Sequence, residues 1–247
     1  MGSMLQGAAR ELIDINEFSK LDKTGTVITD DRRRRPRYFD GRFLAARDLT
    51  REQTYFLTRQ SDLGRAVGSG VVTGLMVSAG DSPSSIKITA GNGVTPAGEM
   101  VLVPNDLSIE LADASLSEPL DVAFGISRIP SDLTRNRTGI FVVALRPIEY
   151  TANPVASYPV TINGPRSVQD GDIIEAVAVT LIPYNDGATA SDLDARRSQL
   201  AARIFVDEGP IGAPENVLAL AMIALDRGRV EWVDPFLVRR EVGAEHE

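Results

Sequence analysis

Short β-rich runs separated by Gly, Pro, Asn and Ser turns, two capped helical patterns and no alternating βαβ rhythm predict a mainly β fold of the α+β kind. It is expected to consist of antiparallel β-sheets or a sandwich, with one long N-terminal helix and one helix inserted near the C-terminus. The chain has 247 residues, 43% of them hydrophobic, enough to bury a core without covalent staples. Its organisation reads as three parts: an N-terminal segment, basic arm and association helix over 1–67, a small β-subdomain over 68–112, and a larger antiparallel β-domain over 113–247 with a helix near 191–204.

Along the chain, Leu5, Leu12, Ile13 and Ile15 alternate with charges before the turn at Lys23-Thr24-Gly25, which suits a peripheral helix. Next comes Asp30-Asp31 followed by Arg32, Arg33, Arg34, Arg35, Pro36 and Arg37. Pro36 stops any helix there and holds the basic arm extended. Tyr38 and Phe39 are expected to anchor the chain in the β-body, and Gly41 to turn it. Thr50 with Gln53 three residues later fits a capping box, and Asp48 adds negative charge at the helix start, so a helix is expected over 50–67.

On that helix Leu49, Phe56 and Leu63 recur at heptad spacing while Gln53, Gln60 and Val67 fill the offset positions. The pattern has two readings. One is a surface helix packing a narrow stripe on its own domain; the other is a short self-associating seam whose Gln layers fix the register.

From Gly68 the pattern changes to short strands, three or four of them between 70 and 111. The turn at Pro96-Ala97-Gly98 joins KITAGNGV and EMVLVP as a hairpin. Further strands are expected at DVAFGIS, IFVVALRP, DIIEAVAVTLIPY, NVLALAMIAL and GRVEWVDPF, the last two joined at Asp226-Arg227-Gly228. Ser191 with Asp194 signals the inserted helix, whose apolar face is Leu193, Leu200 and Ile204. TANPVASYPVTINGPRSVQDG, 151–171, is the longest irregular stretch and is expected to be an exposed loop or contact arm.

Composition narrows the chemistry. The chain has no Cys, and its single His is His246 next to the C-terminal residue, so sulfur ligands, His-ligated metals and Ser-His-Asp triads lose their central parts. Gly68-Ser69-Gly70-Val71-Val72-Thr73-Gly74 has the wrong spacing for a dinucleotide loop and is followed by β-like residues. Asp186, Asp192 and Asp194 lack the interval of a calcium loop and fit turn and cap duties better. Asp40, Asp48 and Glu52 could be imagined as a glycosidase pair, yet ion pairs with neighbouring arginines explain them more simply. No catalytic residue, cofactor or metal is therefore expected. The apolar runs are too short to span a bilayer and no basic, apolar leader opens the chain, so a cytoplasmic protein is expected.

Charge is distributed unevenly. Between Arg32 and Arg65 ten arginines face four acids, a balance of +6, while the net charge of −8 leaves −14 on the remainder. Aromatic interleaving in the basic run is thin, so contact with acidic protein is favoured over nucleic acid.

Three stretches resemble a known module: Pro36-Arg37-Tyr38-Phe39-Asp40-Gly41-Arg42-Phe43-Leu44, then Asp48-Leu49-x-x-Glu52-Gln53-x-Tyr55-Phe56, then Gly68-x-Gly70-Val71-Val72-x-Gly74-Leu75-x-Val77. ITAGNGVTPAGEMVLVP and ALDRGRVEWVDPFLVRRE extend the likeness. The module is similar to baseplate-associated and fibre-like proteins of bacterial contractile injection systems, which include phage-tail-like and type VI secretion assemblies. The chain departs from it at Ser61-Asp62-Leu63-Gly64-Arg65-Ala66, where those proteins often carry His and Asn. The resemblance implies a structural or adaptor protein with protein partners, a homo-oligomer with a trimer favoured, and possible export within an injection particle without a signal peptide. No catalytic residue carries over. Arg32, Arg33, Arg34, Arg35, Arg37, Gln53, Phe56, Gln60 and Leu63 are the candidate contact residues, and Tyr38, Phe39, Gly41, Asp48 and Thr50 the candidate structural anchors. The alternative is a polysaccharide-binding or glycoside-cleaving β-protein, weakened by a single Trp, Trp232.

Overall fold

The computed structural model describes residues 13–116, 137–158, 166–185, 192–207 and 214–242. It is mainly antiparallel β, with a long helix near the N-terminus and a shorter one near the C-terminus, as expected. The chain divides into two compact units, Met1–Arg59 and Gln60–Glu247. In the first, α1 (Ile15–Lys23) is capped by Asp14, whose carboxylate accepts from the Asn16 and Glu17 amides. A 3₁₀ turn follows at Asp31–Arg33, and α2 (Ala46–Val67) begins.

Six strands, rather than three or four, follow α2: β1 (Gly70–Gly74), β2 (Val77–Ala79), β3 (Ser85–Ile88), β4 (Gly91–Val94), β5 (Met100–Val103) and β6 (Leu107–Glu110). They form two three-stranded sheets, ordered β1-β4-β5 and β2-β3-β6. Most are three or four residues long, too short for the alternation of side chains to mark each one in sequence. The β4–β5 hairpin forms as expected, with Thr95 N–H donating to the Glu99 carbonyl and Gly98 at φ +87° in its turn.

A five-stranded sheet holds β7 (Ser115–Leu116), β8 (Gly139–Ser157), β9 (Ser167–Tyr184), β10 (Leu218–Asp226) and β11 (Arg229–Asp234) in the order β11-β10-β8-β9-β7. Only the β7–β9 pair is parallel. One face of this sheet, through Phe141, Val143, Leu145, Leu181, Ile223 and Leu225, packs on Val71, Leu75, Ile86, Ile88, Val101 and Val103 of the smaller sheets. A single apolar core therefore runs through both β-regions. The opposite face buries Ile140, Val142, Ile182, Met222 and Trp232 against Leu200 and Ile204 of the helical segment α3 (Leu193–Ala202) and the π-turn Arg203–Asp207.

That inserted helix is capped by Asp192, whose carboxylate accepts from the Asp194 and Ala195 amides; a single aspartate meets two orphan donors at once. Trp232 Nε1 donates to the Leu193 carbonyl at 3.0 Å, and Arg197 bonds the Asp234 carboxylate at 2.8 and 3.0 Å, fixing α3 to β11. The expected strand DVAFGIS lies outside the described residues.

Of the stretch expected to be irregular over 151–171, residues 151–157 and 167–171 are strand. β8 and β9 stay in register from Ile140↔Tyr184 out to Ser157↔Ser167. Pro147 and Pro154 interrupt nothing, because the β10 pairing of β8 ends at Leu145 and a strand with an open edge tolerates a missing N–H.

Candidate functional site

The basic arm is organised by its own acids. Asp30 caps the 3₁₀ turn, accepting from the Arg32 amide at 3.0 Å and from the Arg32 guanidinium at 2.9 and 3.1 Å, with Arg33 at 3.5 Å. The Arg32 side-chain bond holds the Asp30 carboxyl below its ordinary range. Arg34 reaches Asp31 at 3.2 Å. Beyond it the chain is extended, Pro36 is buried, and Arg35 stacks over the Tyr55 ring at 6.0 Å.

The joint between arm and helix closes through groups far apart in sequence. Tyr38 donates its hydroxyl to Glu52 at 2.6 Å, which raises the Tyr38 pKa by stabilising the phenol over the phenolate. Arg42 donates to the Arg37 carbonyl, lies over the Tyr38 ring at 5.8 Å and pairs with Asp48 at 2.7 Å. Gly41, at φ +85°, makes the turn, closed by the Arg42 amide on the Phe39 carbonyl. Phe39 itself is 64% exposed, so it is not a buried anchor, and Tyr38 serves by its hydroxyl rather than by burying its ring.

Helix α2 begins at Ala46, four residues before the expected Thr50 start. Asp48 reaches back to accept the Ala45 amide at 3.2 Å, while its own amide donates to the Ala45 carbonyl at 2.8 Å. This is the return half of a capping box with Asp in the third helical position, and the Ala45 amide is the main cause of the lowered Asp48 pKa. Thr50 lies inside the helix and donates its hydroxyl to the Ala46 carbonyl. The ion pair expected for Asp48 forms with Arg42, whereas Glu52 takes the Tyr38 hydroxyl instead of an arginine; nothing local marks a partner fourteen residues away.

The two faces of α2 differ sharply. Asp48, Tyr55 and Ser61 are buried, Tyr55 to 7% exposure. Over 60–67 the helix is seated on the β4–β5 turn: Ser61 donates to Glu99, Arg65 donates to the Ala97 carbonyl at 2.8 Å, and a Cβ on Gly64 would collide with the Gly98 backbone. The other face carries the heptad seam, and it is open. Leu49, Gln53, Phe56 (60%), Gln60, Leu63 (65%) and Val67 are all exposed. The stripe is exposed along the helix, which corrects the first of the two expectations; Tyr55 is buried in the N-terminal unit, and Ser61 and Gly64 seat residues 60–67 on the β4–β5 turn.

The second exposed feature is the outer β8–β9 ribbon, 149–157 paired with 167–175. Burial is lost outward from Leu145, and Tyr150, Val155, Val168 and Ile173 are exposed. Elsewhere, a cavity of about 400 Å³ is lined by Pro83, Ser84, Leu111, Arg137 and Arg229 among others; Arg137 donates there to the Leu111 carbonyl at 2.8 Å. Among the described residues, no group of three or more acidic or His side chains could hold a metal, and no helix is long and apolar enough to cross a membrane. Trp232 is 6% exposed and engaged by Leu193 and Arg197, so it offers no stacking face to a sugar.

No family model matches the chain, and no curated protein matches it. Among solved structures it is similar to a chain of the TssK-TssF-TssG baseplate subcomplex of the type VI secretion system, with 13% identity over 84% of this chain and 61% of that one and a TM-score of 0.37. It is similar to TssK in a crystal structure (12% identity, 81% and 40% covered, TM-score 0.37) and to a chain of the type VI baseplate complex (12% identity, 82% and 58% covered, TM-score 0.35). The chain thus spans less than two thirds of each, and its structural neighbours are baseplate components at a level of likeness too low to define a family.

Proposed function

We propose that this chain is a structural or adaptor subunit of a phage-tail-like or type VI secretion assembly, acting through protein–protein contacts and without enzymatic chemistry of its own. The observation that carries the proposal is the open heptad seam along α2. Leu49, Phe56 and Leu63 fall at d positions and Gln53, Gln60 and Val67 at a positions, so a knobs-into-holes contact buries the apolar d layers while the Gln layers select one register. A helix of 22 residues, about 33 Å long, supplies close to three heptads. The parallel association is a homotrimer, which matches the threefold and sixfold symmetry of tail-like machines. The motif likeness over Pro36–Phe56 and Gly68–Val77 supports the setting. The protein acts in the cytoplasm or travels with the injection particle.

Light scattering on the purified chain tests this reading. A mass near three times 26.6 kDa is expected, reduced to the single-chain mass by Phe56→Asp with Leu63→Asp. A monomer at micromolar concentration overturns it.

A further inference from the structure

Among the described residues, 149–157 and 167–175 pair with each other alone. The β8–β10 pairing stops at Leu145, and β7 meets β9 only at Thr180 and Leu181. A two-stranded ribbon without a third strand or a covering layer is marginally stable in water. Its composition adds to the problem. Glu149, Asp170, Asp172 and Glu175 lie on it, and no Lys or Arg does. Glu149 and Glu175 stand directly opposite each other, a like-charge pair that weakens the ribbon. Thr151 and Asn153 donate to Asp170 and Asp172, but neutral donors leave the charge in place.

The same sequence holds the complement. The extended Arg34–Arg37 stretch presents arginines to solvent, at the head of the region whose balance is +6 against −14 elsewhere. We propose that the ribbon of 149–157 and 167–175 is the seat for the Arg34–Arg37 segment of a second copy of this chain. Guanidinium forks engage Glu149 and Glu175, and their aliphatic stems cover Ile173, which the strand alternation places on the same face. In a closed ring each copy gives its arginines to one neighbour and receives those of the other, so one contact repeats around the axis. The inference rests on the self-association reading and names the contact that would accompany the helix seam.

Because the chain has no Cys, one introduced thiol per chain gives a clean probe. Two differently tagged full-length copies, one Phe39→Cys and one Gln169→Cys, both exposed positions that leave the arginines and glutamates of the contact in place, are co-expressed and treated with a short bismaleimide. A covalent dimer carrying both tags, at least tenfold above a Phe39→Cys and Ser78→Cys control, is expected. Charge reversal at Arg34 and Arg37 to Glu should abolish it, and Glu149→Arg with Glu175→Arg should restore it. Light scattering on the same samples separates the failures. An oligomer with cross-linking at the control level overturns the ribbon contact and leaves self-association standing; a monomer overturns both. A link found only within a chain carrying both thiols also overturns the contact between copies.

Discussion

Gly64 on α2 and Gly98 in the β4–β5 turn meet backbone to backbone, with no room for a Cβ on either. Gly98 also has φ +87°, which an L side chain resists, whereas Gly64 is helical and owes its identity to space alone. This contact decides which side of residues 60–67 meets the β4–β5 turn. Gly64→Ala should gain helix propensity yet lose about 1–3 kcal/mol through overpacking. Thermal unfolding checks it; an unchanged or raised Tm would mean that the close approach is not needed.

The joint around Asp48 should be sensitive at both ends of the pH scale. The Ala45 amide and Arg42 lower the Asp48 pKa below 3.8, so its contribution is fully present above that value and is lost as pH falls through the folded pKa. Tyr38 runs the other way: its pKa is raised above 10.0, so its contribution is present below 10.0 and is lost as pH rises through the folded value. Backbone amide shifts of Ala45 and Asp48 should follow the acid limb, and Asp48→Asn should flatten it.

Arg146 is buried on the β8 strand with its Nε lacking a hydrogen-bond partner. Arg146→Met keeps most of the volume and removes the unsatisfied donor, so stability should be unchanged or higher by about 1 kcal/mol. Chemical denaturation reads this directly, and a loss of several kcal/mol would show that the guanidinium is paired in solution.

Asp234 joins α3 to the sheet edge through Arg197 and also accepts the Phe236 amide at 2.9 Å. Asp234→Ala strands both donors and should cost about 1–3 kcal/mol. Trp232 fluorescence should report the loosening, since its ring lies beneath Arg197 and its Nε1 holds Leu193. An unaltered spectrum and stability would contradict the role assigned to this pair.

Much of the fold was legible because its signals are local. Pro96-Ala97-Gly98 marks a hairpin turn by backbone chemistry, and Ser191 with Asp194 marked a helix start that forms at Leu193 with Asp192 as its cap. The heptad at Leu49, Phe56 and Leu63 was legible as a pattern, but its direction was not, because that depends on Gly64 meeting Gly98, thirty-four residues on. The 151–171 stretch misled for a related reason. Thr, Asn, Pro and Asp there resemble turn chemistry, while the register of the ribbon is handed outward from the buried pairs Val143↔Leu181 and Ala144↔Thr180. An arginine partner for Asp48 was legible from the local excess of arginines, but Tyr38 as the partner of Glu52 was not, because that contact is made by the fold and not by spacing.

The central claim is that the exposed face of α2 associates with copies of itself. Sedimentation or light scattering of the full chain, beside Phe56→Asp with Leu63→Asp, tests it most directly. The account predicts a trimer that the paired substitution converts to a folded monomer with its β-sheet circular dichroism intact. A wild-type chain that is monomeric, or a trimer indifferent to both substitutions, would contradict it.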